Sequence, residues 1–248
     1  MQIPGVMLVG TDTEVGKTYV SCRLIEQWVR LGIRVGAYKP VASGALSEEL
    51  SDANLLWNAS GRLGTLQKVN PQSFSAPLAP PVAAELEGRE VDDELLIQGA
   101  AAWGNHCNFL LVEGAGGLMS PVSWTMTNAS LAHKLNLPVI LVAPNKLGVV
   151  SQVLTTLTAA KALQLEVIAV VLNDLIENEG DLDPSTRSQK DISSETNFQL
   201  LARFMQTLSL GDCTVSQLNY GSKIFEPPIL TNLPEILLGE QYLETHRP

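Results

Sequence analysis

A lysine and a hydroxyl that follow a glycine-bearing loop can grip phosphate and its counter-ion, and the stretch "GTDTEVGKT" (10–18) supplies all of these groups. A phosphate-binding loop has the pattern G-x-x-x-x-G-K-[ST]. Here Gly10 and Gly16 are separated by one residue more, namely Thr11, Asp12, Thr13, Glu14 and Val15. An apolar run (6–9) precedes the loop and a helical pattern starts at Lys17, which is the context such a loop requires. Its backbone N–H groups would face the phosphates. Lys17 would reach the β- and γ-phosphates, and the Thr18 hydroxyl would ligate Mg²⁺. The stretch is read as a phosphate loop with an extra residue, in preference to an ordinary helix start.

Other groups fall at the ends of apolar runs. In "YKPVASG" (38–44), Pro40 halts a strand and leaves Lys39 at its end, with Ser43 and Gly44 as further donors. Lys39 would hold a second anion or a transferred phosphoryl group, or it is simply solvated. In "LLVEGAGGLMSP" (110–121), Glu113 ends an apolar run as the metal-binding carboxylates of Mg·ATP sites do. Gly114, Gly116 and Gly117 would admit a ligand close to the backbone, or they form only a turn. Asp52 opens a helical segment as an N-cap, as a second metal carboxylate, or as both. Asn173 and Asp174 end the run "VVLND"; the Asn amide suits the N6/N7 edge of adenine, and a plain polar turn fits equally well.

The elements that would position these groups are short and regular. Continuously apolar runs at 6–9, 34–38, 108–112, 138–143 and 166–172 predict buried strands. Helical patterns span 17–31, 92–103, 128–136, 149–164 and 195–208. Their alternation predicts right-handed βαβ units: an α/β fold with a mostly parallel sheet and helices on both faces. Ligands of such sheets bind beyond the carboxyl ends of the strands, where the groups above lie. The proline-rich 70–88 reads as an irregular surface connection, and the polar 178–195 as a mobile loop. No repeat or composition break divides the chain, so residues 1–248 read as one domain.

Composition narrows the function classes. The net charge is −10, from 16 basic and 26 acidic side chains, which argues against a nucleic-acid or anionic-membrane partner. A small anion held in a focused pocket stays open. The three cysteines and three histidines are scattered, without disulfide or zinc spacing. No secretory signal is evident, and no apolar run reaches the roughly 18 residues of a transmembrane helix. The expectation is a soluble cytoplasmic protein.

Taken in order, "GTDTEVGKT", "YKPVASG", "VEGAGG", "LPVILV", "KLG" and "ND" resemble the dethiobiotin synthetase family over residues 3–175. The resemblance implies a P-loop NTPase-like fold, ATP and Mg²⁺ as cofactors, and 7,8-diaminopelargonate with CO₂ or bicarbonate as substrates. One substrate amine would be carbamated, the carbamate phosphorylated by ATP, and the second amine would close the ureido ring. It assigns Lys39, Lys17 and Thr13 to the carbamate and migrating phosphoryl group. It places Thr18, Asp52 and Glu113 around Mg²⁺, and Glu14 to Thr18 with Gly114, Ala115 and Gly116 against ATP. Asn173, Asp174 and Gln241 would serve the nucleotide, and Ser43, Gly117, Leu118 and Ser151 the substrate. A homodimer with substrate at the subunit boundary is implied as well. Two departures stand out: Ser151-Gln152 replaces an Asn-His pair common after "KLG", and "LLGEQYLETHRP" lacks a Gly-x-x-Pro-like stretch. Two other readings are a cobyrinate-type amidoligase and a partitioning-type ATPase switch. The first usually needs a glutaminase domain, for which this chain has no room. The second typically needs basic or amphipathic surface, against which the −10 charge argues.

Overall fold

The computed structural model describes residues 3–44, 51–174, 192–211, 213–219 and part of 222–238. Each predicted strand forms within a residue or so of its expected start: β1 (Gly5–Gly10), β2 (Val35–Tyr38), β5 (Phe109–Gly117), β6 (Val139–Pro144) and β7 (Val167–Asn173). With β8 (Thr214–Leu218) they make a six-stranded sheet in the order β2-β5-β1-β6-β7-β8, and every neighbouring pair is parallel. β1, β2 and β6 are buried along their whole length. That explains their unbroken apolar sequences, since both faces of the sheet are covered.

The predicted helices also form: α1 (Lys17–Arg30), α5 (Asp93–Ala101), α6 (Asn128–Leu135), α7 (Val149–Ala162) and α8 (Asn197–Thr207). α1 packs its apolar face through Val20, Leu24, Ile25 and Trp28, and the Trp28 ring meets Phe109 edge-on at 5.1 Å. β1 lies between β5 and β6 while the chain first moves outward to β2. The strand order therefore reverses beside β1, and the crevice at that switch point receives the loop that follows it.

Residues 70–88 differ from the expected irregular connection. They contain β4 (Gln72–Phe74), which pairs in parallel with β3 (Val41–Ser43), and the short helix α4 (Pro80–Leu86). Pro80 and Pro81 read as breakers in sequence, yet proline is favoured in a first helical turn because its missing N–H is not needed there. β8 was also not expected. Its "TVSQL" carries a fully buried Ser216 and lacks a continuous apolar run. Most of the 178–195 stretch lies outside the described residues; Ile192–Glu195 is a single 3₁₀ turn.

Candidate active site

The loop from Gly10 to Gly16 turns back on itself through left-handed backbone at Glu14 (φ 56°) and Gly16 (φ 81°). Gly16 caps α1 in this conformation, and no side chain occupies the helix N-terminus. The first N–H groups of α1 are thus left for an anion. Asp12 shapes the loop from within, its carboxylate accepting the Thr13 N–H at 2.7 Å. Lys17 folds back so that Nζ donates to the neutral Asp12 carbonyl at 3.1 Å. Burial, together with the nearby charge of Lys39, holds the Lys17 pKa below that of an ordinary lysine. A buried ammonium bonded to a neutral carbonyl is poised to gain from an arriving phosphate.

Lys39, Glu113 and Asp52 converge beside it. Lys39 Nζ lies 2.6 Å from Glu113 Oε1 and 2.6 Å from Asp52 Oδ2. Thr18 Oγ1 donates to the same Glu113 oxygen at 2.8 Å. Burial works against the Lys39 charge, but the two carboxylates and their hydrogen bonds outweigh it and raise its pKa. Burial alone would raise Asp52; the charge and hydrogen bond of Lys39 prevail and hold the carboxyl below its usual range. Glu113 is fully buried, and its Oε2 has no hydrogen-bond partner. A buried carboxylate oxygen without a partner is costly unless a ligand satisfies it. Asp52 heads α2 (Asp52–Ala59), but Ser51 supplies the cap, so Asp52 is free to face the cleft.

The donors here are a hydroxyl and two carboxylates. Among the described residues there is no group of three or more His, Cys, Asp or Glu side chains able to enclose a metal. An all-oxygen, partly filled set suits a hard cation that completes its shell with phosphate and water, as Mg²⁺ does. The unpartnered Glu113 Oε2 supplies the position such an ion would satisfy.

Lys17, Lys39 and Asp52 border a cleft of about 620 Å³, whose lining does not include Thr18 or Glu113. Thr13 and Glu14 of the loop, Ala115 and Gly116 of β5, and Ser43 with residues 77–80 also line it. Ser43 Oγ donates to the Leu78 carbonyl at 2.6 Å, and Gly44 packs so closely on Pro77 that a Cβ would sit 2.8 Å from its Cα.

Other expected site residues fall elsewhere. Gly114 faces the core, where a Cβ would lie 2.5 Å from Asn128 Oδ1. Gly117 donates its N–H to Ser120 Oγ at 2.8 Å, and the Leu118 side chain is buried in the core. Ser151 is exposed on α7, away from the cleft lining. Asn173 is buried, its Nδ2 donates to the Val15 carbonyl at 3.1 Å, and its Oδ1 has no partner. Asp174 accepts from Asn145 Nδ2 at 2.8 Å. Val15 is likewise buried and offers only backbone to a ligand. Gln241 lies outside the described residues. Asn128, Ser120 and Asn145 were missed in the sequence. A polar residue opening a helix or following a strand was the only signal, and it also fits a cap or turn.

A switch-point crevice, an extended phosphate loop and a buried lysine–carboxylate cluster define a P-loop-type nucleotide-binding protein. A family model described as an AAA domain matches residues 4–212. The ATP-dependent dethiobiotin synthetase BioD of Rhodopirellula baltica is 37% identical over 79% of this chain and 78% of its own length. The enzyme of the same name from Anaeromyxobacter sp. (strain Fw109-5) is 38% identical over 84% and 92%. That of a Caulobacter species is 40% identical over 75% and 82%. This chain belongs to the ATP-dependent dethiobiotin synthetase family.

Proposed function

We propose that the chain acts as one domain that joins CO₂ to a vicinal diamine, 7,8-diaminopelargonate, to form dethiobiotin at the expense of ATP. The observation that carries this reading is the pair of buried lysines at one cleft. Lys39 is held by Glu113 and Asp52, while Lys17 is bonded only weakly through a neutral carbonyl. Such a site can seat two anions side by side, a carbamate and the γ-phosphate.

In the first stage one amine attacks CO₂, a C–N bond forms and a proton leaves. A carbamate oxygen then attacks the γ-phosphorus, the bond to the bridging oxygen breaks, and ADP departs. The second amine attacks the carbonyl carbon of this mixed anhydride, closing the ring and expelling phosphate with loss of a proton. Phosphorylation turns an oxygen that cannot leave into one that can. The protein contributes position and charge neutralisation. Lys17 and the N–H groups of residues 14–18 hold the β- and γ-phosphates. Lys39 and Thr13 hold the carbamate and the oxygens of the migrating phosphoryl group, and Ser43 orients the diamine. Mg²⁺, held by Thr18, Asp52 and Glu113, would neutralise charge on the phosphates. Asn173 and Asp174 border the base.

The site is proposed to work in a homodimer that closes the substrate end of the cleft. In support, Leu147 (80% exposed), Trp124 and Met119 lie uncovered on loops at the carboxyl edge of the sheet. A cytoplasmic setting is part of the proposal; among the described residues no helix is long and apolar enough to cross a membrane.

The test is phosphate release from Mg·ATP with and without the diamine and bicarbonate. Release that requires both, with dethiobiotin formed one-for-one, is the expected result. Release indifferent to the diamine would leave a nucleotide hydrolase and refute the substrate assignment.

A further inference from the structure

Asn128 belongs to none of the motifs above, yet it is fully buried directly behind the glycine strand. Its Nδ2 donates at 2.7 Å to the Ala115 carbonyl and at 2.7 Å to the Gly117 carbonyl. Those two acceptors fix which side of the amide faces the strand. The residue cannot easily drift. It opens α6, where Thr127 and Ser130 form a reciprocal cap, and its own N–H donates to the Ser120 carbonyl at 3.1 Å.

The consequence lies on the opposite side of the strand. In a trans peptide the carbonyl of one residue and the N–H of the next point in opposite directions. With the Ala115 carbonyl drawn towards the buried Asn128, the Gly116 N–H is directed away from it. The Leu118 N–H, opposite the Gly117 carbonyl on the same amide, runs in that sense and reaches the Gly10 carbonyl at 3.1 Å at the start of the phosphate loop. Gly116 itself lines the cleft. Gly116 sits in left-handed backbone (φ 79°), and a Cβ built on it would approach Thr13 of the phosphate loop to 3.5 Å. We infer that Asn128 is a positioning residue: it holds the Ala115–Gly116 peptide so that the Gly116 N–H donates to an anionic oxygen of the reacting group between Thr13 and Lys39. The inference rests on the proposed reaction, because it supplies that anion. It also accounts for Gly114, whose missing side chain leaves room for the Asn128 amide oxygen.

The test compares wild type, Asn128→Ala and the double variant Gly114→Ala/Asn128→Ala by kcat, Mg·ATP affinity and melting temperature. In the double variant the added methyl occupies space vacated by the amide, so packing is restored while the clamp stays absent. Losing one preorganised N–H donor lowers kcat by roughly 10²–10³-fold. A donor left in place but poorly aimed should cost somewhat less, about 10–100-fold. The expected result is that loss in both variants, with Mg·ATP affinity within about threefold of wild type and the melting temperature partly recovered in the double variant, where volume is refilled but the Ala115 and Gly117 carbonyls stay unpaired. Unchanged kcat in Asn128→Ala overturns the inference. Recovery of kcat together with melting temperature in the double variant also overturns it, because it would make Asn128 a packing residue. Wild-type turnover separates the two claims. If wild type forms no dethiobiotin the proposed function fails, whereas normal wild-type turnover with indifferent variants fails the Asn128 role alone.

Discussion

The two halves of the sheet's carboxyl edge are built differently. At the ends of β1, β2 and β5 the polar groups are charged, buried and incompletely satisfied: Lys17 rests on a neutral carbonyl and Glu113 keeps an unpartnered oxygen. At the ends of β6 and β7 the groups are mostly amides and are tied to one another. Asn145 donates to Asp174 at 2.8 Å and to the Ser194 carbonyl at 3.2 Å, and accepts from Asn197 at 3.0 Å. Asn197 opens α8, so this network fixes that helix against the strand ends. One half stores unsatisfied charge for a ligand to complete; in the other the polar groups are largely paired with one another, the buried Asn173 Oδ1 being the exception. Sites that bind and transform anions carry such local cost, while the frame around them supplies stability.

The sharpest way to break this contrast is Lys17→Ala. Turnover should fall by about 10³-fold. The melting temperature should hold or rise, because a poorly compensated buried charge is removed. A large drop in melting temperature would mean that Lys17 is already satisfied in the free protein. Lys39→Ala should instead lose both properties. It leaves Glu113 buried beside Asp52 with no cation between them, a change that costs about 3–5 kcal/mol for a buried pair. Denaturant unfolding measures this directly, and Lys39→Ala should lie well below Lys17→Ala.

Much of the charged half was legible in the sequence. Lys39 and Glu113 sit immediately after the predicted strands 34–38 and 108–112, and Lys17 and Thr18 open the helix that follows the phosphate loop, so strand ends and a motif fixed their places. The amide half was less legible. Asn145 and Asn197 are 52 positions apart and acquire meaning only when β6 and α8 pack together. Asn128 is similar: as a residue it opens a helix, and only the fold sets it behind Ala115. Residues 70–88 were misjudged for a local reason, since proline signals both loops and first helical turns. The strands were recovered well because burial on both faces writes an unbroken apolar run.

A smaller effect is expected in the amide half. Asn145→Ala should cost about 1–3 kcal/mol, the usual penalty for leaving buried partners unpaired. Because Asp174 lies on the proposed base side, KM for ATP should rise while kcat changes little. Steady-state kinetics at varied ATP checks this, and a kcat loss matching that of Lys17→Ala would erase the distinction between the halves. The smallest effect concerns the thiols. Burial, and then the charges of Glu113 and Glu26, push Cys22 up to about 12, and burial pushes Cys107 up to about 11. The thiolate is the reactive form, so both should resist alkylation at neutral pH in the folded protein and react on unfolding. Mass spectrometry after a timed iodoacetamide pulse reads both sites.

The central claim is that a carbamate oxygen attacks the γ-phosphate in this cleft. Oxygen-18 in the CO₂ supplied to the wild-type enzyme, with diamine and Mg·ATP, tests it when product phosphate is analysed before bicarbonate exchanges with water. The account predicts that each phosphate released carries one oxygen atom that came from CO₂. Phosphate carrying oxygen only from ATP and water would contradict it.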